Sequence, residues 1–456
     1  MDFDFHRDRT VAVPNPFSRE RFGRPQIFAI LLLLAFLAQA LYVAARRPLA
    51  GAELGYIQTG EQRLRGEAGT APHFVSPLVA VIAAVPVVAA GKTSLLSDER
   101  TSDESGEPDP GLRWLARFPF LTIGLLLGGS LWYVARRLYG NAGGYLALAL
   151  YVFSPAVALS ARVGPDIVAM LGVFGIIYIS IALAHTFYPP VAEGFFKTVS
   201  WRRVLLLAAA ILLALGAAPQ TALVLPIALA FMLYLLPAPG PQKGRRWWLP
   251  FAVLALTTGI ALLALLAING FHGAALAQQL SLGVGVVSAG FAWMRLGLYA
   301  GSLLWLTHYP SLLLFLVMAL AAYLASKRVR YFGNTAPLIV LALLWLLAVA
   351  GLAPDTLAYG AFPLRALPFV FLFLAGVAAD MLELKHRQAR QIVTAMVVAL
   401  LLSHGIIAVL ELRRTGGSGH PFEVQRTMDN GRLTIEDRRP NLEHRIHCRL
   451  SIASGV

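Results

Sequence analysis

The sequence predicts an all-α, polytopic membrane protein: a bundle of about eleven transmembrane helices with short helices lying along one face. Three observations predict it. Apolar runs at 25–45, 116–135, 142–159, 167–184, 249–268, 310–326, 335–353, 362–379 and 391–410 approach or exceed the roughly 20 helical residues that cross a ~30 Å hydrocarbon core. With 57% hydrophobic and only 14% charged residues, the backbone of such a chain is satisfied in lipid as helices. The gaps between the runs carry arginine clusters and acid clusters in alternation, which is how loops on the two sides of a membrane differ. The alternating segments of about ten residues that build a barrel are absent from the sequence.

Taken in order, Arg19, Arg21 and Arg24 precede the first span and place the amino-terminal segment 1–24 in the cytoplasm. Arg136–Arg137, Lys197 with Arg202–Arg203, Lys243 with Arg245–Arg246, Lys327–Arg328 with Arg330, and Lys385 with Arg387 and Arg390 mark the later inner loops. Glu53, Glu61, Glu67, the run Asp98–Asp109, Asp166 and Asp355 mark the outer ones. The alternation requires that 77–91, which is short and contains Pro86, stay in the outer interface. It also requires that 204–236 cross twice, turning at Pro219–Gln220. The transmembrane domain then covers 25–411, with a large first outer loop at 46–112 and a small outer tail at 412–456. Arg46–Arg47 break the charge pattern, falling just outside the first span. Within the first loop, Leu54, Ile57, Glu61 and Leu64 share one face at helical spacing and predict a surface helix. In the tail, Phe422–Met428, Asn430-Gly431 and Arg432–Glu436 predict a β-hairpin. No internal repeat is visible, unlike transporters built from duplicated halves.

Composition excludes several classes. The net charge of +14 is dispersed over span ends, which is membrane orientation and not a nucleic-acid footprint. Cys448 is the single cysteine, so there is no disulfide within the chain and no cysteine-based metal site. Asp and His are too scattered to specify a metal, and neither metal nor cofactor is expected. The first apolar run is long and lacks a small-residue cleavage site, so no cleavable signal peptide is read.

Transporters place ionisable residues mid-span, but these spans are nearly empty of charge. The exceptions gather toward the outer face: Glu53 after the first span, Arg117 opening the next, Asp166 entering the fourth, and Arg365 inside the tenth. A carboxylate there can deprotonate an acceptor hydroxyl, while guanidinium groups hold an anionic leaving group. Singly, each reads equally as an interfacial charge at a helix end. As a set they point to a reaction, because Arg365 lies a full turn inside an apolar helix. His73, His272 and His308 read as solvated, the aromatic stretch 291–309 as an interfacial belt, and Trp247–Trp248 as an inner-interface anchor.

Glu53 following Ala52, then Tyr56, Gly60, Gly66 and Pro77-Leu78, resembles the first outer loop of GT-C type lipid-carrier-dependent glycosyltransferases. These include the protein O-mannosyltransferase-like and aminoarabinose-transferase-like enzymes. Ala116-Arg117-Phe118-Pro119 through Arg136-Arg137-Leu138-Tyr139-Gly140 resembles their next span. Ser154-Pro155 and Ala161–Asp166 resemble the following segment, whose aspartate sits at the outer end of a helix. The likeness runs over about 50–185, and Leu364–Ala375 is similar to the family's late span.

The charge alternation places the amino terminus in the cytoplasm and the carboxyl terminus outside it. With the resemblance, this gives the expectation of a multi-pass protein of a bacterial inner membrane with a periplasmic carboxyl terminus. The resemblance implies an inverting transferase that takes a sugar from a polyprenyl-phosphate carrier to a lipid, glycan or protein acceptor. Its site residues would be Glu53 and Asp166 for catalysis, and Arg117, Arg162, Arg365 and Tyr56 for substrate and phosphate. Membrane lipids and a membrane protein complex are further partners it allows. The chain departs from the family where Ala52 replaces the leading aspartate, Val75-Ser76 replaces the residues before Pro77, Pro219 or Gln220 replaces a lysine, and Ala361-Phe362 replaces a late Arg-Tyr pair. Arg365 lies four residues beyond Ala361, on the same helical face one turn deeper. These departures leave one alternative: a degenerate GT-C-like subunit that binds lipid or partner proteins without catalysis.

Overall fold

The computed structural model describes residues 23–66, 76–92, 110–154, 156–187, 200–236, 247–285, 310–351, 361–383, 387–416, 425–429 and 432–436. In chain order they form α1 (Arg24–Arg46), α2 (Gly51–Leu64), α3 (Pro77–Ala89), α4 (Pro110–Val152), α5 (Ala156–Ser160), α6 (Pro165–Ala184) and α7 (Trp201–Ala217). There follow α8 (Val224–Tyr234), α9 (Leu249–Ile268), α10 (Gly273–Gly285), α11 (Pro310–Ala325), α12 (Phe332–Gly351), α13 (Ala361–Leu382) and α14 (Arg387–Gly416). The expected hairpin follows as β1 (Gln425–Asp429) and β2 (Arg432–Glu436), antiparallel, with Asp429 facing Arg432 next to the turn. His73, His308, the stretch 291–309, the acids at 98–109, Asp355 and Cys448 lie outside the described residues.

This is a multi-pass membrane protein. Six helices among the described residues are long and apolar enough to cross a membrane: Pro25–Arg46, Gly111–Val152, Pro165–Phe187, Leu249–Ile268, Arg365–Leu382 and Arg390–Leu410. Shorter apolar helices lie at Pro77–Ala89, Pro219–Tyr234, Leu312–Ala325 and Phe332–Leu344. The expected total was about eleven, and two features account for part of the difference. At Gly140 (φ 74°) α4 leaves helical geometry, in a conformation glycine adopts without a Cβ penalty. The chain doubles back there, so that the Tyr151 hydroxyl donates to the Gly124 carbonyl at 2.7 Å. The apolar stretch 204–236 is likewise split by a 3-10 turn at Pro219–Leu223 into two short helices, since a proline removes a helical donor.

Apolar side chains cover the outside of the bundle as well as its core. Phe28, Leu31 and Leu34 on α1 and Ile392, Leu402 and Ile406 on α14 are exposed, a surface matched to lipid rather than water. The middle belongs to α13, where Phe369, Phe371 and Phe373 are fully buried and Phe369 lies 5.8 Å from Phe174 of α6, centroid to centroid. Toward its carboxyl end α13 is tied to α12, with Asn334 Nδ2 donating to Asp380 Oδ2 at 2.6 Å. Contact there is so close that a Cβ on Gly376 would stand 2.1 Å from Asn334 Oδ1.

Helices α2 and α3 pack on each other. The buried face of α2 carries Glu53, Ile57, Thr59, Gly60 and Glu61, whereas Leu64 is exposed. The expected surface stripe of Leu54, Ile57, Glu61 and Leu64 is thus rotated, because Gly60 lets α2 sit against the Ala80 backbone of α3. Ser76 caps α3, accepting from Val79 N at 3.4 Å, and its hydroxyl donates to the Gly216 carbonyl of α7. Pro77 follows at the first helical position, where its missing N–H costs nothing.

Candidate functional site

Glu53 sits in the first turn of α2, and its Oε2 accepts from Ala50 N at 3.0 Å. Four chain segments meet around this carboxylate. Arg117, near the start of α4, is completely buried. Its Nε donates to Glu53 Oε1 at 3.1 Å and its Nη2 to Glu53 Oε2 at 2.6 Å. The remaining guanidinium protons go to the end of α1 and the turn after it: Nη1 to the carbonyls of Ala44 (2.9 Å) and Arg47 (2.7 Å), and Nη2 to that of Pro48 (2.9 Å). Carbonyls at a helix C-terminus lack intrahelical donors and carry partial negative charge, so a guanidinium is well matched to this place. The fourth segment is the loop between α5 and α6, from which Val163 N donates to Glu53 Oε1 at 2.8 Å.

A guanidinium has five N–H donors and a carboxylate about four lone-pair sites. Arg117 makes five hydrogen bonds and Glu53 accepts four. Neither has capacity left for a ligand, and both are buried. Here the geometry departs from the expectation that Glu53 would act as a base and Arg117 would bind phosphate.

The other expected residues gather next to this pair. Asp166 is the second residue of α6, behind Pro165, and its Oδ2 accepts from Arg162 Nη2 at 2.7 Å. Arg162 is the more open partner, its side chain 39% exposed against 12% for Asp166. Tyr56, one turn along α2 from Glu53, is within electrostatic reach of both and takes a hydrogen bond from the Ser76 backbone. Its hydroxyl pKa is pushed up to about 12, chiefly by burial and further by the charge of Asp166. Arg365 of α13 is buried and interacts electrostatically with Asp166. Asp166, Arg162, Tyr56 and Arg365 therefore form one cluster, with the Glu53–Arg117 pair behind the 161–164 loop.

Sequence reasoning missed Ser76, whose Ser-Pro pair is a cap signal linking Tyr56 to α7. It also missed the backbone groups of Ala44, Arg47, Pro48 and Val163, which no side-chain pattern announces. Among the described residues, no three His, Cys, Asp or Glu side chains gather as metal ligands. His272 is exposed, and Trp247 and Trp248 are largely so.

The architecture recurs in known proteins. The apo form of the Archaeoglobus fulgidus oligosaccharyltransferase aligns with a TM-score of 0.53 at 12% identity, covering 91% of this chain and 61% of that one. The archaeal oligosaccharyltransferase AglB from the same organism, in complex with an inhibitory peptide and a dolichol-phosphate, aligns with a TM-score of 0.52 at 11% identity, over 88% of this chain and 57% of that one. This chain thus spans about three fifths of the length of those proteins. The likeness is one of fold: the helical bundle is arranged like that of these oligosaccharyltransferases. Residues 111–188 match the sequence model of the dolichyl-phosphate-mannose-protein mannosyltransferase family. That segment runs from the start of α4 to just past α6 and includes Arg117, Arg162 and Asp166. ArnT from Cupriavidus metallidurans, bound to undecaprenyl phosphate, aligns at 15% identity with a TM-score of 0.47, over 85% of this chain and 72% of that one. No curated protein matches by sequence.

Proposed function

We propose that the protein transfers a sugar from a polyprenyl-phosphate carrier to an acceptor hydroxyl at the end of the bundle bearing α2 and α3, on the outer face of a bacterial inner membrane. The observation that carries this reading is the cluster of Asp166 with Arg162, Arg365 and Tyr56. Asp166 accepts the proton of the acceptor hydroxyl as its oxygen attacks the anomeric carbon. The bond from that carbon to the phosphate oxygen breaks, and the anomeric centre inverts. The two guanidinium groups stabilise the charge developing on the departing phosphate, and the Tyr56 hydroxyl, kept protonated by burial, donates a hydrogen bond to it. In this arrangement the bundle has eleven spans, with the amino terminus inside and the hairpin outside. The likeness to a protein in complex with a dolichol-phosphate supports the carrier class.

The test is transfer by the purified full chain in liposomes, with polyprenyl-phosphate-linked sugars of several kinds as donors. Labelled sugar leaving the carrier for a lipid, glycan or protein acceptor, at a rate reduced at least ~100-fold in Asp166→Asn, is expected. A second reading, a subunit that binds the carrier without transferring from it, is favoured by two observations. The leading acidic position is Ala52, and Glu53 is saturated. Carrier binding with no transfer from any donor would select that reading.

A further inference from the structure

The Glu53–Arg117 pair lies where the first-loop base was expected, yet its geometry serves a different task. We propose that the pair is a positioning strut that fixes the 161–164 loop, and through it Asp166, without exchanging a proton or touching the donor. The inference rests on the proposed transfer reaction for its catalytic consequence, but its structural claim stands independently.

A general base needs a lone pair facing the proton it takes. The lone pairs of Glu53 face Arg117 Nε and Nη2, Ala50 N and Val163 N, at 3.1, 2.6, 3.0 and 2.8 Å. Val163 stands one residue after Arg162 and three before Asp166. Its N–H is the point at which the loop is fastened to α2, 110 residues away in sequence. Arg117 fastens the other side, collecting the end of α1 and the turn into α2 through three carbonyls. The loop itself is lined by Ala161 and Val163, both buried. Its other hydrogen bonds among the described residues run to its flanking helices, from Ala161 N to the Val157 carbonyl and from Arg162 Nη2 to Asp166 Oδ2. Release of Val163 would free the Arg162–Asp166 pair from α2 and from Tyr56, which approaches it from that helix.

A strut and a base respond differently to the same substitution. Glu53→Gln keeps the shape but leaves one oxygen in place of two. Two of the four bonds are then lost, one of them from Arg117, while the remaining oxygen can still face Val163. Only loss of both oxygens removes the Val163 bond in either orientation. Glu53→Leu combined with Arg117→Met removes both buried charges and avoids stranding either one. The experiment measures amide hydrogen exchange of the full-length protein in detergent, for peptides covering residues 161–166, and the pH profile of transfer. A strut predicts exchange there at least ~10-fold faster in the double variant, as expected for losing a charge-assisted bond, and unchanged in Asp166→Asn. It also predicts that both Glu53 variants keep residual turnover with the acidic limb of the wild-type profile. Asp166→Asn alone should lose that limb.

Unchanged exchange at 161–166 in a folded double variant would overturn the proposal. Loss of the acidic limb in both Glu53 variants, with Asp166→Asn retaining it, would also overturn it and make Glu53 the base. Should the wild type transfer no sugar at all, the transfer reading fails, while the exchange measurement still decides whether the strut exists.

Discussion

Arg117→Lys is the sharpest perturbation of the site, because it keeps the charge and removes only the planar fork. The guanidinium satisfies five acceptor atoms: both oxygens of Glu53 and the carbonyls of Ala44, Arg47 and Pro48. An ammonium group has three donors, so at least two of those acceptors lose their partner. The site is closed to water, with Arg117 at 0% exposure and Glu53 at 5%. A buried acceptor left without a donor costs about 1–3 kcal/mol, so the substitution should destabilise the protein by about 2–6 kcal/mol. That is a large fraction of a typical stability of 5–15 kcal/mol. The assay is thermal unfolding of matched detergent preparations of wild type and variant, followed by tryptophan fluorescence. A fall of several degrees is expected, with carrier binding weakened only in proportion to the unfolded fraction. A variant that melts with the wild type, yet has lost carrier affinity, would show that Arg117 meets ligand and that the saturated pair has been misread.

Four further outcomes follow from the same geometry. Gly376→Ala places a Cβ 2.1 Å from Asn334 Oδ1 and 2.7 Å from the Tyr139 ring, so it should cost about 1–3 kcal/mol by overpacking, read as a lower midpoint in the same melts. Tyr56→Phe should weaken donor binding several-fold while leaving the neutral-range pH profile unmoved, because its hydroxyl pKa is raised to about 12. The sign for stability follows from that shift: the buried neutral phenol supports the fold fully below about pH 10, and the contribution is lost as pH rises through about 12; an alkaline melt series of wild type and Tyr56→Phe checks it. Arg365→Lys should impair carrier binding with the fold intact, and undiminished affinity would remove Arg365 from the site. Cys448, the single thiol, should react with a membrane-impermeant maleimide in intact cells, and protection until the inner membrane is opened would reverse the proposed orientation.

Much of the fold was legible because its driving forces are local in sequence. The span 249–268 coincides with α9, and Pro219 divides 204–236 as a proline should. The two strands expected on either side of Asn430-Gly431 pair at 425–429 and 432–436. The rotated face of α2 was not legible, since Gly60 matters only through its contact with Ala80, which belongs to another helix. The site was half legible. Charges inside apolar spans are conspicuous, and Asp166, Arg162, Arg365 and Tyr56 do converge. What the residue types could not reveal is where each lone pair and N–H goes. Glu53 and Arg117 stand at the expected positions, but backbone groups of Ala44, Arg47, Pro48, Ala50 and Val163 absorb their bonding capacity. The odd placement of Arg46–Arg47 beyond the first span falls at this junction, where the Arg47 carbonyl serves Arg117.

The central claim is that an anionic lipid carrier is held by Arg162 and Arg365 beside Asp166, with the Glu53–Arg117 pair behind the loop and out of contact. An experimental density map of the full chain with polyprenyl phosphate bound tests this most directly. The account predicts a phosphate within hydrogen-bonding distance of the Arg162 and Arg365 guanidinium groups, with the Glu53–Arg117–Val163 bonds unbroken. A phosphate bonded to Arg117, or one seated away from Asp166, would contradict it.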